Sequence, residues 1–334
     1  MPLPIYSHPS LTVLIDDSDS FLKSVAFQLD PALASKCFAD TSSALAWIGA
    51  HGEPQPGRLA ASYDTYPGPM EGCNVAFDIE QIHRISFEPE RFMTPSVVVV
   101  DYSMPQMDGL ELCEALRHLP CKKILFTGVA DEKVAVDAFN RGLIDRYIKK
   151  SDDGALDKLE AEIVSLQQAY FAARSDPLRD LLELHNHSFL SDPAFSAVVR
   201  MVADQHGIVE HYLYPNPAGI LLYDARGRAQ LMVVETEAGM DAHYEVGCDN
   251  DAPPSFLQAV RERCIVPYFR EGDGMYARDF AKNWHRWTAP AQRCRGAQTT
   301  YYWALFPLAP GELEQPAHPF EAFLREREHE TAAP

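Results

Sequence analysis

Four consecutive valines, Val97–Val100, run directly into Asp101 in the stretch Ser96–Gly109 (SVVVVDYSMPQMDG), and this stretch limits the fold more than any other. An unbroken β-branched run reads as a strand covered on both faces, as in a parallel sheet. An acid where such a strand ends sits at the carboxyl edge of the sheet, where open α/β folds bind their ligands. Pro105 and Gly109 then turn the chain, and Leu110–Arg117 reads as the next helix. An acidic turn after a core strand is the plainer alternative, and the rest of the chain decides between the two.

Upstream, Leu11–Ile15 is a second short apolar strand, and it ends in Asp16 and Asp17. Ser18 or Asp19 can cap the helix that follows, whose apolar stripe is Phe21, Val25 and Leu29. Lys36–Ala39 is a weaker strand, and Thr41–Ser43 open a helix carrying Leu45 and Ile48. This β-α-β-α order predicts a parallel sheet with right-handed crossovers. His51–Pro95 breaks the rhythm with six prolines. Only Ile79–Ile85 looks helical there, so the stretch reads as a surface insertion outside the sheet. Alternation then resumes with a strand at Lys122–Thr127, a helix at Asp131–Asn140 ended by Gly142, and a fifth strand at Tyr147–Lys150. Ala155–Arg174 is a long helix whose apolar residues Leu156, Leu159, Ile163, Leu166 and Tyr170 are spaced 3, 4, 3 and 4. Such spacing fits a helix packed on its own sheet or a coiled-coil seam, and the helix's length favours a seam for a homodimer.

Strand ends now carry Asp16 and Asp17, Asp101, Thr127 and a lysine. In a doubly wound five-stranded sheet ordered 2-1-3-4-5, strands 1 and 3 flank the switch point, so three carboxylates meet in one crevice. That clustering calls for a cation, and hard oxygen ligands suit Mg²⁺. A converging hydroxyl and lysine suit phosphoryl oxygens, and one carboxylate can serve as nucleophile.

On these residues, positions 11–151 without the insertion resemble the receiver domain of two-component response regulators. The matching positions are Asp16-Asp17, Asp101 with its MPxMDG continuation, Thr127 followed by Gly128, and the lysine. The resemblance implies a flavodoxin-like fold and phosphorylation of Asp101 by a sensor histidine kinase or phosphotransfer protein. It implies Mg²⁺ held by Asp16, Asp17, Asp101 and the backbone carbonyl of Ser103. Thr127 and Lys150 would contact the phosphoryl group, and Tyr147 would turn inward when Thr127 moves. Three departures stand out: the insertion, Ser151 where the family usually has proline, and the adjacent Lys149 and Lys150. Tyr147 lies three residues before Lys150, the family's spacing, which selects Lys150 over Lys149.

Residues 185–334 read as a second, α+β domain with an antiparallel sheet. A helix is expected at Ser191–His206, a hairpin at Gly219–Tyr223 and Gln230–Glu235, a helix at Pro254–Cys264 and an aromatic strand at Thr299–Pro307. The whole chain carries a net charge of −19, and Lys282 is the single lysine of this half, so nucleic acid is not favoured as a partner. No enzyme motif is recognised; a receiver's own phosphoryl transfer and dephosphorylation is the only catalysis implied. His185-Asn186-His187 reads as solvated, Glu235 and Glu237 lack the lysine of a nuclease pattern, and Asn283–Trp287 reads as a packed aromatic patch that could otherwise stack a base. Seven scattered cysteines without a CxxC pair fit a reducing compartment. With no basic region followed by an apolar core and no long apolar run, a cytoplasmic chain without a membrane span is expected.

The stretches KKILFTGVADEKVAVDAFNRGLIDRYIKKS and GIVEHYLYPNPAG are also similar to response regulators of the type found in Legionella quorum sensing. That similarity implies a kinase sensing a small diffusible signal upstream. The leading expectation for the output itself is a phosphorylation-switched domain that binds a protein or small ligand. A DNA-binding or a nucleotide-processing output is the alternative. Together these readings divide the chain into a receiver at 1–151 with an insertion at 51–95, a linker or dimerisation helix at 152–184 and an output domain at 185–334.

Overall fold

A computed structural model describes residues 2–52, 62–63, 75–76, 80–128, 132–183, 187–272 and 274–332. The chain divides into two compact units. One contains residues 8–58, 89–174 and 322–334; the other contains 1–7, 59–88 and 175–321.

In the first unit β1 (Leu11–Ile15), β2 (Ser35–Phe38), β3 (Pro95–Val100), β4 (Lys122–Thr127) and β5 (Arg146–Lys149) form a parallel sheet in the order β2-β1-β3-β4-β5. Its helices are α1 (Asp19–Gln28), α2 (Thr41–Gly52), α3 (Gly109–Ala115), α4 (Glu132–Asn140) and the part of α5 (Ala155–Glu183) up to residue 174. Both faces of β1 and β3 are covered, which is why these strands read as unbroken apolar runs. Val13, Ile15, Val98, Val100 and Leu125 pack with Ala44, Ile48, Leu112 and Leu116 of α2 and the α3 turn. Leu14, Val97, Val99, Ile124 and Phe126 pack with Leu22 and Val25 of α1 and with α5. This is the doubly wound, flavodoxin-like arrangement.

The stripe of α5 corrects one expectation. Leu159, Ile163 and Leu166 lie in the core cluster formed with α1 and the sheet, and Tyr170 is also buried. The residues read as a seam for a partner helix are therefore occupied by the helix's own unit. A sheet and a partner helix both bury one stripe, so the 3-4 spacing alone does not tell them apart. The C-terminal end of the chain joins this unit as well. Arg327 Nη2 donates to the Ser35 carbonyl at 2.8 Å, and the Phe323 and Phe92 ring centroids are 5.3 Å apart.

The second unit is built on an antiparallel sheet of β6 (Ile208–Tyr214), β7 (Gly219–Asp224), β8 (Ala229–Thr236), β9 (Gln292–Arg295) and β10 (Thr300–Leu308). Their order is β6-β7-β8-β10-β9, and the two-residue strand Tyr6–Ser7 pairs outside β6. The expected hairpin joins β7 to β8. Asp224 Oδ1 accepts from the Arg226 and Arg228 amides at 3.0 and 2.9 Å, and Gly227 takes the left-handed turn position at φ 75°. α6 (Pro193–His206) is capped by Asp192, and α8 (Pro254–Arg261) stands where a helix was expected. α7 (Glu237–Asp249) was not anticipated. It contains Gly239 and Gly247, which lower helix propensity. Gly247 lies close to the next helix: a Cβ there would meet the Leu257 and Phe256 side chains at 3.0 and 3.1 Å, so those side chains would have to give by a few tenths of an ångström. Of the 51–95 insertion, the described residues 80–88 belong to this unit, while 89–95 belong to the first. Ile82 and Ser86 are fully buried, Ser86 Oγ donates to the His83 carbonyl at 2.6 Å, and it lies 3.2 Å from the Tyr223 hydroxyl on β7.

His211 on β6 offers a pH test of this unit. Its Nε2 is 3.0 Å from the Pro4 carbonyl, so the neutral ring donates there. Burial pushes its pKa down from 6.5 to about 4. The unfolded chain then binds the extra proton across that window, so this group's contribution is intact above 6.5 and is lost as pH falls toward about 4. His211→Gln keeps a donor and removes the titration. Thermal melts should show wild type losing more stability than the variant over that window, and parallel losses would contradict the assignment.

Candidate active site

Asp16 follows β1 and Asp101 follows β3, so neighbouring parallel strands deliver both carboxylates to one end of the sheet. The Asp101 amide donates to the Ile15 carbonyl at 2.9 Å, which ties the two strand ends together. Each carboxylate is held by the backbone of the loop after it. Asp16 Oδ1 accepts from the Ser18 amide at 2.9 Å, and Asp101 Oδ2 accepts from the Ser103 amide at 2.8 Å. The remaining oxygens face one cation. Lys150 Nζ donates to Asp16 Oδ2 at 2.5 Å and to Asp101 Oδ1 at 2.7 Å. These side chains are 6% (Asp16), 10% (Asp101) and 20% (Lys150) exposed, so the charges interact with little water between them.

Lys150, not Lys149, makes these contacts. Lys149 is the last residue of β5 and stands in register with Thr127 on β4, while the Lys150 amide donates to the Thr127 carbonyl at 3.0 Å. The chain therefore leaves the sheet at Lys150 beside the acids. Thr127 is buried at the end of β4, and Tyr147, paired with Leu125, packs half-buried against the cluster under α2 and α3. Asp17 and Ser103 are exposed on the loops.

Gly109 of the MPQMDG run has a steric cause. A Cβ there would lie 2.2 Å from the Asp101 carbonyl oxygen. Only glycine lets α3 start this close to the acid, with Asp108 as its cap in a capping box with Glu111. Two aromatic rings were missed as site residues. Phe21, read only as part of the α1 stripe, has its centroid 4.1 Å from Lys150 Nζ, and Phe126 has its at 6.0 Å. Stripe arithmetic gives the covered face of a helix and not the atom that a side chain at its end touches.

Among the described residues no group of three or more His, Cys, Asp or Glu side chains is gathered as a closed metal site. The donors at the crevice nonetheless suit Mg²⁺, which takes one or two carboxylates and keeps several waters. Asp16 and Asp101 are buried hard-oxygen donors already paired to a cation, with Asp17 and the Ser103 carbonyl on the adjoining loops.

Of the C-terminal candidates, Glu235 Oε1 lies 3.3 Å from Nε2 of the buried His243. Glu237 accepts from the Tyr302 hydroxyl at 2.5 Å and pairs with Arg263 at 3.1 Å. Trp284 and Trp287 pack against the aromatic core. His185 and Asn186 lie outside the described residues.

A parallel sheet that brings two carboxylates and an ammonium to its switch point defines a receiver. The family model for the response regulator receiver domain matches residues 72–160. The structure is similar to that of the Legionella pneumophila response regulator LqsR, with a TM-score of 0.78 and 31% identity over 97% of this chain and 95% of that one. The chain belongs to the response regulator family. Its sequence is also 30% identical over 92 residues to a protein-glutamate methylesterase/protein-glutamine glutaminase of Bdellovibrio bacteriovorus, covering 26% of each chain. It is 42% identical over 57 residues to the cyclic di-GMP phosphodiesterase response regulator RpfG of Xanthomonas campestris, covering 16% of this chain and 15% of that one. The match thus spans about a quarter or less of these two relatives. No helix among the described residues is long and apolar enough to cross a membrane.

Proposed function

We propose that Asp101 is the phosphoacceptor of this response regulator and that the donor is the phosphohistidine of a sensor histidine kinase or phosphotransfer protein. The supporting observation is Lys150 Nζ held between Asp16 Oδ2 and Asp101 Oδ1. In the transfer, a carboxylate oxygen of Asp101 forms the new P–O bond as the P–N bond to the donor imidazole breaks, and the electron pair stays on that ring. Mg²⁺ held by Asp16, Asp17, Asp101 and the Ser103 carbonyl supplies charge neutralisation for the phosphoryl oxygens. Lys150 trades a carboxylate oxygen for a phosphoryl oxygen, and the Ser103 amide keeps Asp101 oriented. The Thr127 hydroxyl follows the new group, Tyr147 packs inward, and the face around β4 and β5 changes.

In this reading the chain works in the cytoplasm, possesses the receiver's own phosphoryl-transfer and dephosphorylation activity, and answers a kinase that senses a small diffusible signal. Its C-terminal unit passes the change to a protein or small ligand. A homodimer belongs to the same reading, though the α5 stripe first read as its seam is buried within the helix's own unit. The test is intact mass after incubation with acetyl phosphate and Mg²⁺. Wild type should gain one phosphoryl group and Asp101→Asn none. A gain by the variant under the same conditions removes Asp101 from the role.

A further inference from the structure

We propose that Phe21 is a positioning residue for Lys150: the face of its ring holds the ammonium beside Asp101 when a divalent cation takes Asp16. The inference rests on the phosphoacceptor reading of Asp101. Its own basis is local geometry. Lys150 Nζ lies 2.5 Å from Asp16, 2.7 Å from Asp101 and 4.1 Å from the centroid of the Phe21 ring, with the Phe126 ring farther away at 6.0 Å. A cation at that distance over a ring face is attracted by the ring's quadrupole, and more strongly where water is scarce. The ring is itself fixed. The Phe21 amide donates to the Ser18 hydroxyl at 3.3 Å in the first turn of α1, and the ring packs on buried Phe126 with centroids 6.0 Å apart.

The two kinds of anchor behave differently when a second cation enters. A divalent ion on Asp16 and Asp101 competes for the same oxygens and repels the ammonium, so both carboxylate contacts weaken together. The ring carries no net charge and gives up nothing to the metal. It therefore remains as the contact that keeps Lys150 next to Asp101. The small pocket here is walled by Asp16 and Asp101 and by the apolar Leu14, Ile15, Phe21, Leu22, Val25, Val99 and Phe126, so beside the acids the ammonium meets only aromatic rings, Phe21 at 4.1 Å and Phe126 farther off at 6.0 Å. A leucine at position 21 would fill similar space without a negative face.

Two measurements on the full chain test this. In the first, phosphorylation by acetyl phosphate with Mg²⁺ is timed for wild type, Phe21→Tyr, Phe21→Leu and a series with mono-, di- and trifluorinated phenylalanine at position 21. Fluorine preserves the ring's shape and apolar character while draining its negative face. The rate should hold in Phe21→Tyr, fall stepwise with fluorination and drop about tenfold in Phe21→Leu. In the second, the ε-methylene proton shift of Lys150 is read by NMR without acetyl phosphate. It should be shielded by the ring in wild type, stay shielded on adding Mg²⁺ and lose the shielding in Phe21→Leu. A flat rate across the fluorinated series, or loss of shielding when Mg²⁺ is added to wild type, overturns the proposal. Wild type that takes no phosphoryl group while Lys150 stays shielded would overturn the phosphoacceptor reading and still support the placement of Lys150 by Phe21.

Discussion

Ile163→Glu should unfold the receiver unit. Ile163 has no exposed surface and lies in the core cluster with Leu14, Leu22, Val25, Val97, Leu159 and Leu166. The substitution removes an apolar side chain worth about 2–5 kcal/mol when truncated in a core. It also puts a carboxyl group into an apolar cluster, at a further cost of several kcal/mol. The sum rivals the whole stability of an ordinary domain, about 5–15 kcal/mol. Circular dichroism should show the cooperative melt of this unit lost or shifted far down, while Ile163→Ala, which adds no charge, melts lower but stays folded. If Ile163→Glu melted like wild type and merely sedimented more slowly, the stripe would be a seam between copies after all.

What could be read in advance follows from how local the cause is. Val97–Val100 are buried on both faces, and that alone announces a parallel sheet with an acid at its edge. Asp16 and Asp101 were legible because a strand end places its next residue regardless of side-chain detail. Lys150 was separable from Lys149 by spacing, and the pairing of Lys149 with Thr127 gives the physical reason. Causes that lie far along the chain left no comparable trace. Tyr6–Ser7 is a strand only because it meets Tyr212 and His211. Residues 80–88 are ordered by Tyr223 and by Tyr214 on β6, partners far along the chain, so the prolines and irregular pattern of the stretch suggested a detached insertion. α7 hides behind two glycines, one of which packs close to the neighbouring helix. Phe21 looked like any other stripe residue because its partner, an ammonium from the last strand, is known only once the sheet is assembled.

Lys150→Met should destabilise the receiver unit through the charges it leaves behind, and removing one of those charges should return part of the loss. With the ammonium gone, Asp16 and Asp101 face each other with side chains 6% and 10% exposed and no counter-charge between them. Breaking a buried pair by deleting one partner costs about 3–5 kcal/mol. The Lys150 side chain is 20% exposed, so the loss belongs at or below the lower end of that range. In Lys150→Met/Asp101→Asn a single carboxylate remains, which water and the Ser18 amide can satisfy. Urea melts of wild type, both single variants and the double variant close a cycle. Its coupling should lie within the range of about 0.5–3 kcal/mol found for residues in contact, with the double variant more stable than Lys150→Met. Mg²⁺ should raise the stability of Lys150→Met by more than it raises wild type, because in the variant the ion replaces a missing charge, whereas in wild type it must displace an ammonium already in place. Additive losses, together with an equal response to Mg²⁺, would mean that Lys150 does not neutralise this pair, and the electrostatic account of the crevice would fail with it.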